Sequence, residues 1–394
     1  DVIRRADHVI DLGPGPGRDG GRVVAAGTPA EIAATPGSRT GDFLRGELGL
    51  PDPPRRARGP AVRFTAVRSR TLDIPVLEIP TAAFVAVSGV SGSGKSTLLF
   101  DVVEPSLRRG RPIGCGGVEE ASRWTRIVPI DASPIGRTPT STPATFVGGI
   151  FDRIRKRFAG TEEARGLGLT ASAFSFNRPG GRCDACKGAG AIQVSMDIMA
   201  DVWVPCTECG GRRFVGAALE CRVEGRTIAE VLELTIAEAA EAFVDDPHLH
   251  RPLATLGDLG LGHLHLGQGA DTLSGGEAQR LRLCDELVRG AGRGGGALIL
   301  LDEPTTGLHP WDVVRLVKVL DDLVDGGNTV LVIEHDPAVL FHADHLIDLG
   351  PEGGERGGHL VAAGTPEIVA AAPDSHTGRV LCYGWRGGVV YPLS

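Results

Sequence analysis

Gly89-Val90-Ser91-Gly92-Ser93-Gly94-Lys95-Ser96 fits the pattern G-x-x-x-x-G-K-[ST]. Glycines in this order let backbone N–H groups close around phosphate oxygens, and a helix start behind them faces the anion. Lys95 is then placed to reach the β- and γ-phosphates of a nucleotide, and the Ser96 hydroxyl to ligate Mg²⁺. Asp302 closes an apolar run that begins at Ala297. A carboxylate at the end of a central strand is where such a protein holds Mg²⁺, usually through water. Glu303 follows and can polarise the attacking water. Glu334-His335 ends the next apolar run, Thr329 to Ile333, so His335 is predicted on the same sheet edge, within reach of a γ-phosphate. The plainer alternatives are a chance Gly/Ser loop, a solvated helix cap at 302–303 and an unrelated histidine. The strand and helix patterns flanking the loop speak against the first.

Two more strings carry chemistry. In Leu273-Ser274-Gly275-Gly276-Glu277-Ala278-Gln279-Arg280, Ser274 is a good N-cap, and Gly275 and Gly276 bare the backbone at a helix start, a second anion-binding surface. Cys183-x₂-Cys186 and Cys206-x₂-Cys209 stand 19 residues apart, and each pair is followed by glycine (Gly188, Gly190; Gly210, Gly211). Such knuckles present four thiolates tetrahedrally to Zn²⁺. Disulfides or a redox C-x-x-C are the rival readings, and nothing nearby resembles a thioredoxin unit. Phe174, Phe176, Arg178, Arg182, Lys187, Arg212 and Arg213 flank the cysteines. They could stack on bases and grip a phosphate backbone, or form a solvated basic face.

Elements must position these groups. Ala82 to Val87 reads as a buried strand before the glycine loop, and Leu98 to Val103 as the helix after it. Residues 297–301 and 329–333 suit central strands of a parallel sheet covered on both faces, with helical spacing over Trp311–Leu323 between them, which indicates an α/β sheet. Ile192 to Val204 alternates like a hairpin, Ile228 to Phe243 has helical periodicity, and another helix opens at Ser274. Residues 36–61 are rich in Pro, Gly and Arg and read as a linker. Residues 111–182 are irregular.

At 394 residues, two or three cores are expected. The net charge of −8 argues against a wholesale polyanion binder, leaving local basic clusters such as Arg153 to Arg157. No apolar run of about 18 residues and no signal peptide is found, so a cytoplasmic location is expected. The chain begins at Asp1, which reads as processing or a fragment.

The glycine loop, the string at 273–280 and Asp302-Glu303, in this order, resemble the ATP-binding cassette (ABC) family. With paired cysteines between loop and signature, the chain resembles the UvrA family, the ATPase subunits of the bacterial UvrABC excinuclease. Gly89 to Thr97, Ser133-Pro134-Ile135-Gly136-Arg137-Thr138-Pro139, Phe174-Ser175-Phe176-Asn177, Gly180 to Cys183, Leu261-Gly262, Leu266-Gly267-Gln268, 273–280 and Leu301 to His309 carry the likeness. It implies an α/β fold: an ABC-type P-loop cassette with an inserted zinc-stapled hairpin and a helical signature subdomain. The implied parts are the end of a first cassette (1–48), a linker (49–61), the P-loop part (62–110), a signature and insertion region (111–272) with its zinc module (183–214), the signature helix and C-terminal part (273–380), and a tail (381–394).

The resemblance further implies ATP, Mg²⁺ and Zn²⁺ as cofactors. It implies a homodimer that recognises lesions in double-stranded DNA by shape and loads a UvrB-like helicase. It makes Lys95, Glu303 and His335 catalytic. Gly89, Ser91, Gly92, Ser93, Gly94, Lys95, Ser96, Thr97 and Asp302 become nucleotide-binding, and Ser274, Gly275 and Gly276 complete the site of another cassette. The isolated chain is therefore expected to hydrolyse ATP poorly. Two departures stand out. Ala132 occupies the place of a glutamine that contacts Mg²⁺ and the attacking water, and Arg68 to Leu72 replaces an Asn-rich turn. Both leave room for a paralogue concerned with resistance to DNA-binding drugs. A transporter ATPase predicts no cysteine module.

Residues 6–29 and 343–366 share 17 of 24 positions without a gap. Gly15 to Gly20 spells G-x-G-x-x-G, but the glycines run into strand-like Arg22 to Ala26, whereas a dinucleotide fingerprint opens a helix. Both copies are expected to form a strand, a Gly-rich turn and a return strand. The counterpart of His335 would fall just before Asp1, so the first copy reads as the tail of another cassette.

Overall fold

A computed structural model of the chain describes residues 2–13, 15, 20–57, 59–136, 138–194, 202–290, 296–382, 385–386 and 389–390. It forms two compact units, Asp1–Asp131 with Gly292–Ser394, and Ala132–Ala291.

The first unit contains β1 (Val9–Gly13), β2 (Arg22–Gly27), β3 (Ala61–Ser69), β4 (Leu72–Pro80), β5 (Phe84–Gly89), β6 (Gly117–Glu119) and β7 (Arg126–Ile130). The second contributes the pair β8 (Ala191–Val194) and β9 (Val202–Pro205). The first unit resumes with β10 (Ala297–Asp302), β11 (Thr329–Ile333), β12 (His345–Gly350) and β13 (His359–Gly364).

One six-stranded sheet has the order β13-β12-β5-β11-β10-β7, parallel throughout except at β13. Its strands β10, β11 and β12 are buried throughout apart from the half-buried Asp302 at the end of β10, so their continuous apolar runs are what a sheet covered on both faces requires. The antiparallel sheet β4-β3-β6 packs Phe64, Leu77 and Ile79 into the core that also holds Val85, Leu300 and Leu331. Leu98, Leu99, Val102 and Val103 enter the same core from the helix after the glycine loop. That helix is wound as a π-helix over Thr97–Val103 before Glu104–Arg108 continues it, where the spacing predicts a plain helix. The helix Pro310–Asp325 buries Val313, Leu316, Val317, Leu320 and Val324 along one stripe, and His309 caps its start.

Both copies of the repeat form the predicted hairpins. β1 pairs with β2 in the register of β12 with β13, and the bulge falls at Asp11/Leu12 in one and Asp348/Leu349 in the other. The likeness runs on. Asp11 accepts hydrogen bonds from Ser38 and Thr40 at 2.6 and 2.7 Å, and Asp348 from Ser375 and Thr377 at 2.6 and 2.8 Å. The turn of the first copy, 16–19, lies outside the described residues.

The stretch 36–61 departs from a free linker. Ser38 caps a helix over Arg39–Arg45. Arg56 reaches Asp321 at 3.0 Å, Asp325 at 2.7 Å and Asp344 at 3.2 Å. Arg55 donates to the carbonyls of Phe341 and Ala343. Charge pairing thus pins a segment that composition alone leaves loose.

In the second unit the helix predicted over Ile228 to Phe243 is two short helices, Ile228–Leu232 and Ile236–Ala242. Thr227 with Glu230 and Thr235 with Glu238 form separate capping boxes, so each threonine starts its own helix.

Candidate nucleotide site and cysteine centre

The glycine loop leaves the C-terminal end of β5. Gly89 has φ +132°, and a Cβ there would stand 2.0 Å from the Leu349 carbonyl oxygen, so the strand can turn only on glycine. The Lys95 ammonium donates to the carbonyls of Gly89 and Val90 at 2.8 and 2.9 Å, curled into its own loop. Burial pushes its pKa below the ordinary value, against the opposing charges of Glu303, Asp302 and Asp348. Ser93 Oγ is buried without a hydrogen-bond partner among the described residues, an orphan inside a loop of backbone donors. The second repeat's glycine turn backs the loop: the Gly354 N–H donates to Gly92 O at 3.1 Å and the Gly358 N–H to Ser93 O at 3.2 Å.

β10 and β11 end on the same edge, Asp302 opposite Ile333. The Ser96 side chain is hydrogen-bonded to the Asp302 carboxyl, whose pKa is raised by burial and then by the Glu303 charge. A hydroxyl and a carboxylate so joined are the donor pair that Mg²⁺ takes in a P-loop site. Glu303, at φ +44°, holds Oε1 3.3 Å from His335 Nε2. The structure therefore brings together Lys95, Ser96, Asp302, Glu303 and His335, with Gly89, Ser91, Gly92, Ser93, Gly94 and Thr97 forming the loop and the helix start. Sequence reasoning passed over Glu334 and Thr305, although Glu334 directly precedes His335.

Ser274 caps the helix Gly275–Gly290 as expected. Its N–H donates to Glu277 Oε2 at 2.7 Å, and Glu277 N–H returns to Ser274 Oγ at 3.3 Å. Burial works against the Glu277 charge, but the bonds from Ser274 and His263 outweigh it and lower its pKa. Ser274 and Gly275 are exposed. A Cβ at Gly275 would meet Ala132 at 3.3 Å, so the site of the missing glutamine lies directly behind the signature start.

Cys183, Cys186, Cys206 and Cys209 are buried, with ligand atoms all within 4.8 Å of one another. Cys183 and Cys206 stand 3.9 Å apart and Cys186 and Cys209 3.8 Å. Metal–sulfur bonds of about 2.3 Å in a tetrahedron need a sulfur separation of about 3.8 Å, so the cluster fits Zn²⁺. All four are free thiols, which excludes the two disulfides in this structure. Burial pushes Cys209 up to about 12. A central cation would reverse that sign. β8 and β9 pair as the predicted hairpin above the cysteines, and its tip, 195–201, lies outside the described residues.

The basic and aromatic group divides. Arg178, Lys187 and Arg212 are exposed, and Arg182 is half-buried beside Asp184 at 3.6 Å. Phe174 and Phe176 are fully buried and packed on Phe158, Phe151 and Phe214, so neither can stack on a base. Arg213 also turns inward. It donates to the carbonyls of Pro139 and Gly267, both at 2.8 Å, and lies over the Phe176 ring. Both expectations are corrected by the same cause: these side chains complete the core beneath the cysteine knuckles.

No protein-family model matches the chain. Over 390 residues, 97% of its length, it is 47% identical to the UvrABC system protein A of Listeria innocua. It is 50% identical over 396 residues to the protein of that name from Methanothermobacter thermautotrophicus. The crystal structure of UvrA2 from Deinococcus radiodurans superposes with a TM-score of 0.89 at 43% identity, covering 97% of this chain and 46% of that one. The chain matches a portion of the UvrA proteins. It spans about 40% of the length of its curated UvrA relatives. Its α/β cassette superposes on that of UvrA2, and its four-cysteine cluster is compatible with a zinc module. Among the described residues no helix is long and apolar enough to cross a membrane.

Proposed function

We propose that this chain is the ATP-binding portion of a UvrA-type ATPase that recognises distorted duplex DNA in nucleotide excision repair. The meeting of Lys95, Ser96, Asp302, Glu303 and His335 on one sheet edge, in a chain 47% identical to UvrABC system protein A, carries the reading. The N–H groups of the glycine loop and the Lys95 ammonium bind the β- and γ-phosphates. Ser96 and Asp302 hold Mg²⁺, which neutralises phosphate charge when bound. Glu303 orients and polarises the attacking water, and His335 hydrogen-bonds the γ-phosphate.

Ser274, Gly275 and Gly276 serve the site of a second cassette, and that cassette's signature serves Lys95 in return. β1 supports a second cassette. Ile10 and Leu12 are 62% and 64% exposed, whereas their counterparts Ile347 and Leu349, covered in the main sheet, are at 0% and 1%. Cys183, Cys186, Cys206 and Cys209 hold Zn²⁺ and set the hairpin, with Arg178, Arg182, Lys187 and Arg212 toward the phosphate backbone. A homodimer, a UvrB-like helicase as partner and a cytoplasmic location complete the reading.

Its test is the affinity of the complete protein for a duplex carrying one bulky lesion against the same duplex without it. Tighter binding of the damaged duplex is expected. Equal affinities would remove the damage-sensing role, and a failure to bind ATP would remove the ATPase role.

A further inference from the structure

Glu334 follows β11 and is 2% exposed, yet it carries a carboxylate. Its Oε1 accepts from the Thr305 N–H at 3.1 Å, and its Oε2 from the Thr305 hydroxyl at 2.9 Å, the His335 N–H at 3.0 Å and the Asp336 N–H at 3.4 Å. All four donors are neutral. They come from two loops, the one after β10 that begins with Glu303 and the one after β11 that carries His335.

Among the described residues those loops have little else to fix them together. Glu303 N–H donates to Ile333 O at 3.0 Å, and the turn closes through Thr306 N–H to Glu303 O at 3.1 Å and Leu308 N–H to Thr305 O at 3.0 Å. The Glu303–His335 contact is half exposed and 3.3 Å long, so solvent screens it. Placing a carboxylate in a buried position costs free energy that an apolar strand end would not incur. Burial accordingly raises the Glu334 pKa, with the bonds from Thr305, His335 and Asp336 opposing it.

We propose that Glu334 is a positioning residue for ATP hydrolysis: its carboxylate clamps the Thr305 turn to the backbone of His335 and so sets the distance between Glu303 and His335. The assignment rests on the ATPase reading above. On that reading Glu334 acts through Glu303 and His335 rather than on nucleotide or water, and among the described residues its carboxylate accepts no hydrogen bond from the glycine loop.

The clamp separates binding from chemistry. Glu334→Gln keeps the size but offers one accepting oxygen where four donors converge. In the complete protein, affinity for a fluorescent ATP analogue should stay within about two-fold, while single-turnover phosphate release at saturating Mg·ATP should fall by about 100-fold, the scale of a misplacement near 1 Å. Thr305→Val removes one donor to a charged acceptor and should slow the step by about 10-fold. Thr305→Ser keeps the hydroxyl and should restore most of the rate. Wild-type hydrolysis by Glu334→Gln would overturn the proposal. So would equal losses in Thr305→Val and Thr305→Ser, since a role in packing rather than in the hydroxyl bond would then explain both. If the unaltered protein binds and hydrolyses no ATP, the parent reading falls first and the clamp with it, which is a different result from an active protein indifferent to Glu334.

Discussion

Arg56→Ala removes the centre of the strap that holds residues 49–61. The Arg56 side chain is 15% exposed, between Asp321 at 16% and Asp344 at 4%. Removing one partner of a buried pair costs about 3–5 kcal/mol, because a charge is left behind without its counter-ion. Asp325 is 64% exposed and adds at most about 1 kcal/mol. Asp321 keeps His342 at 2.7 Å, and Asp344 keeps the Phe84 N–H at 2.9 Å, which favours the lower end, about 3 kcal/mol. In a unit of this size that lowers Tm by about 6–12 °C. The pH dependence follows from Asp321. Burial works against its charge, but the hydrogen bond from His342 and the pairing with Arg56 outweigh it and lower its pKa. A lowered folded-state value stabilises above the unfolded value, about 3.9, and that stability is lost as pH falls through the folded value. Urea unfolding of wild type and variant should therefore differ fully at pH 7 and converge below about pH 4. A gap under about 1 kcal/mol at pH 7, or one that widens in acid, would refute the reasoning.

Lys95→Ala should weaken binding of a fluorescent ATP analogue by about 100-fold, since about 3 kcal/mol of charge-assisted bonding to phosphate disappears, and unchanged affinity would dismiss the loop as the site. The purified chain should carry one equivalent of zinc, read by a chromogenic chelator, and Cys206→Ser should release it. Retention by the variant would count against a four-thiolate centre. Ala132→Gln should raise the ATP hydrolysis rate of the complete protein by restoring a group that reaches Mg²⁺ and water, and no gain would sink that reading of the departure.

The phosphate loop was legible because its chemistry demands particular residue types at contiguous positions. The central strands were legible because burial on both faces leaves little room for polar residues. The rest depends on partners far away in the chain. Arg56 finds Asp321, Asp325 and Asp344 across more than 260 residues, so its surroundings in sequence show only a Pro- and Arg-rich stretch. Phe174, Phe176 and Arg213 stand beside cysteines in sequence, and that closeness suggested nucleic-acid contact. Packing against Phe151, Phe158 and Phe214 decides otherwise. The break inside 228–243 was readable: Thr227-x-x-Glu230 and Thr235-x-x-Glu238 are two helix starts, each visible as a capping box.

The repeat separates what a local sequence determines from what a neighbour must supply. Both copies make the same hairpin, the same bulge and the same aspartate staple to a serine and a threonine. Those features need only the residues within each copy. Insertion into the sheet is different. β12 lies parallel to β5, and Asp348 takes one more hydrogen bond, from Ser88 at 3.1 Å, just before the glycine loop. Among the described residues β1 pairs only with β2, and its Ile10 and Leu12 face outward. What completes the second copy is therefore a strand that leads into a phosphate loop. The first copy has the same aspartate and the same apolar pair, and on the proposed reading another such strand would cover it.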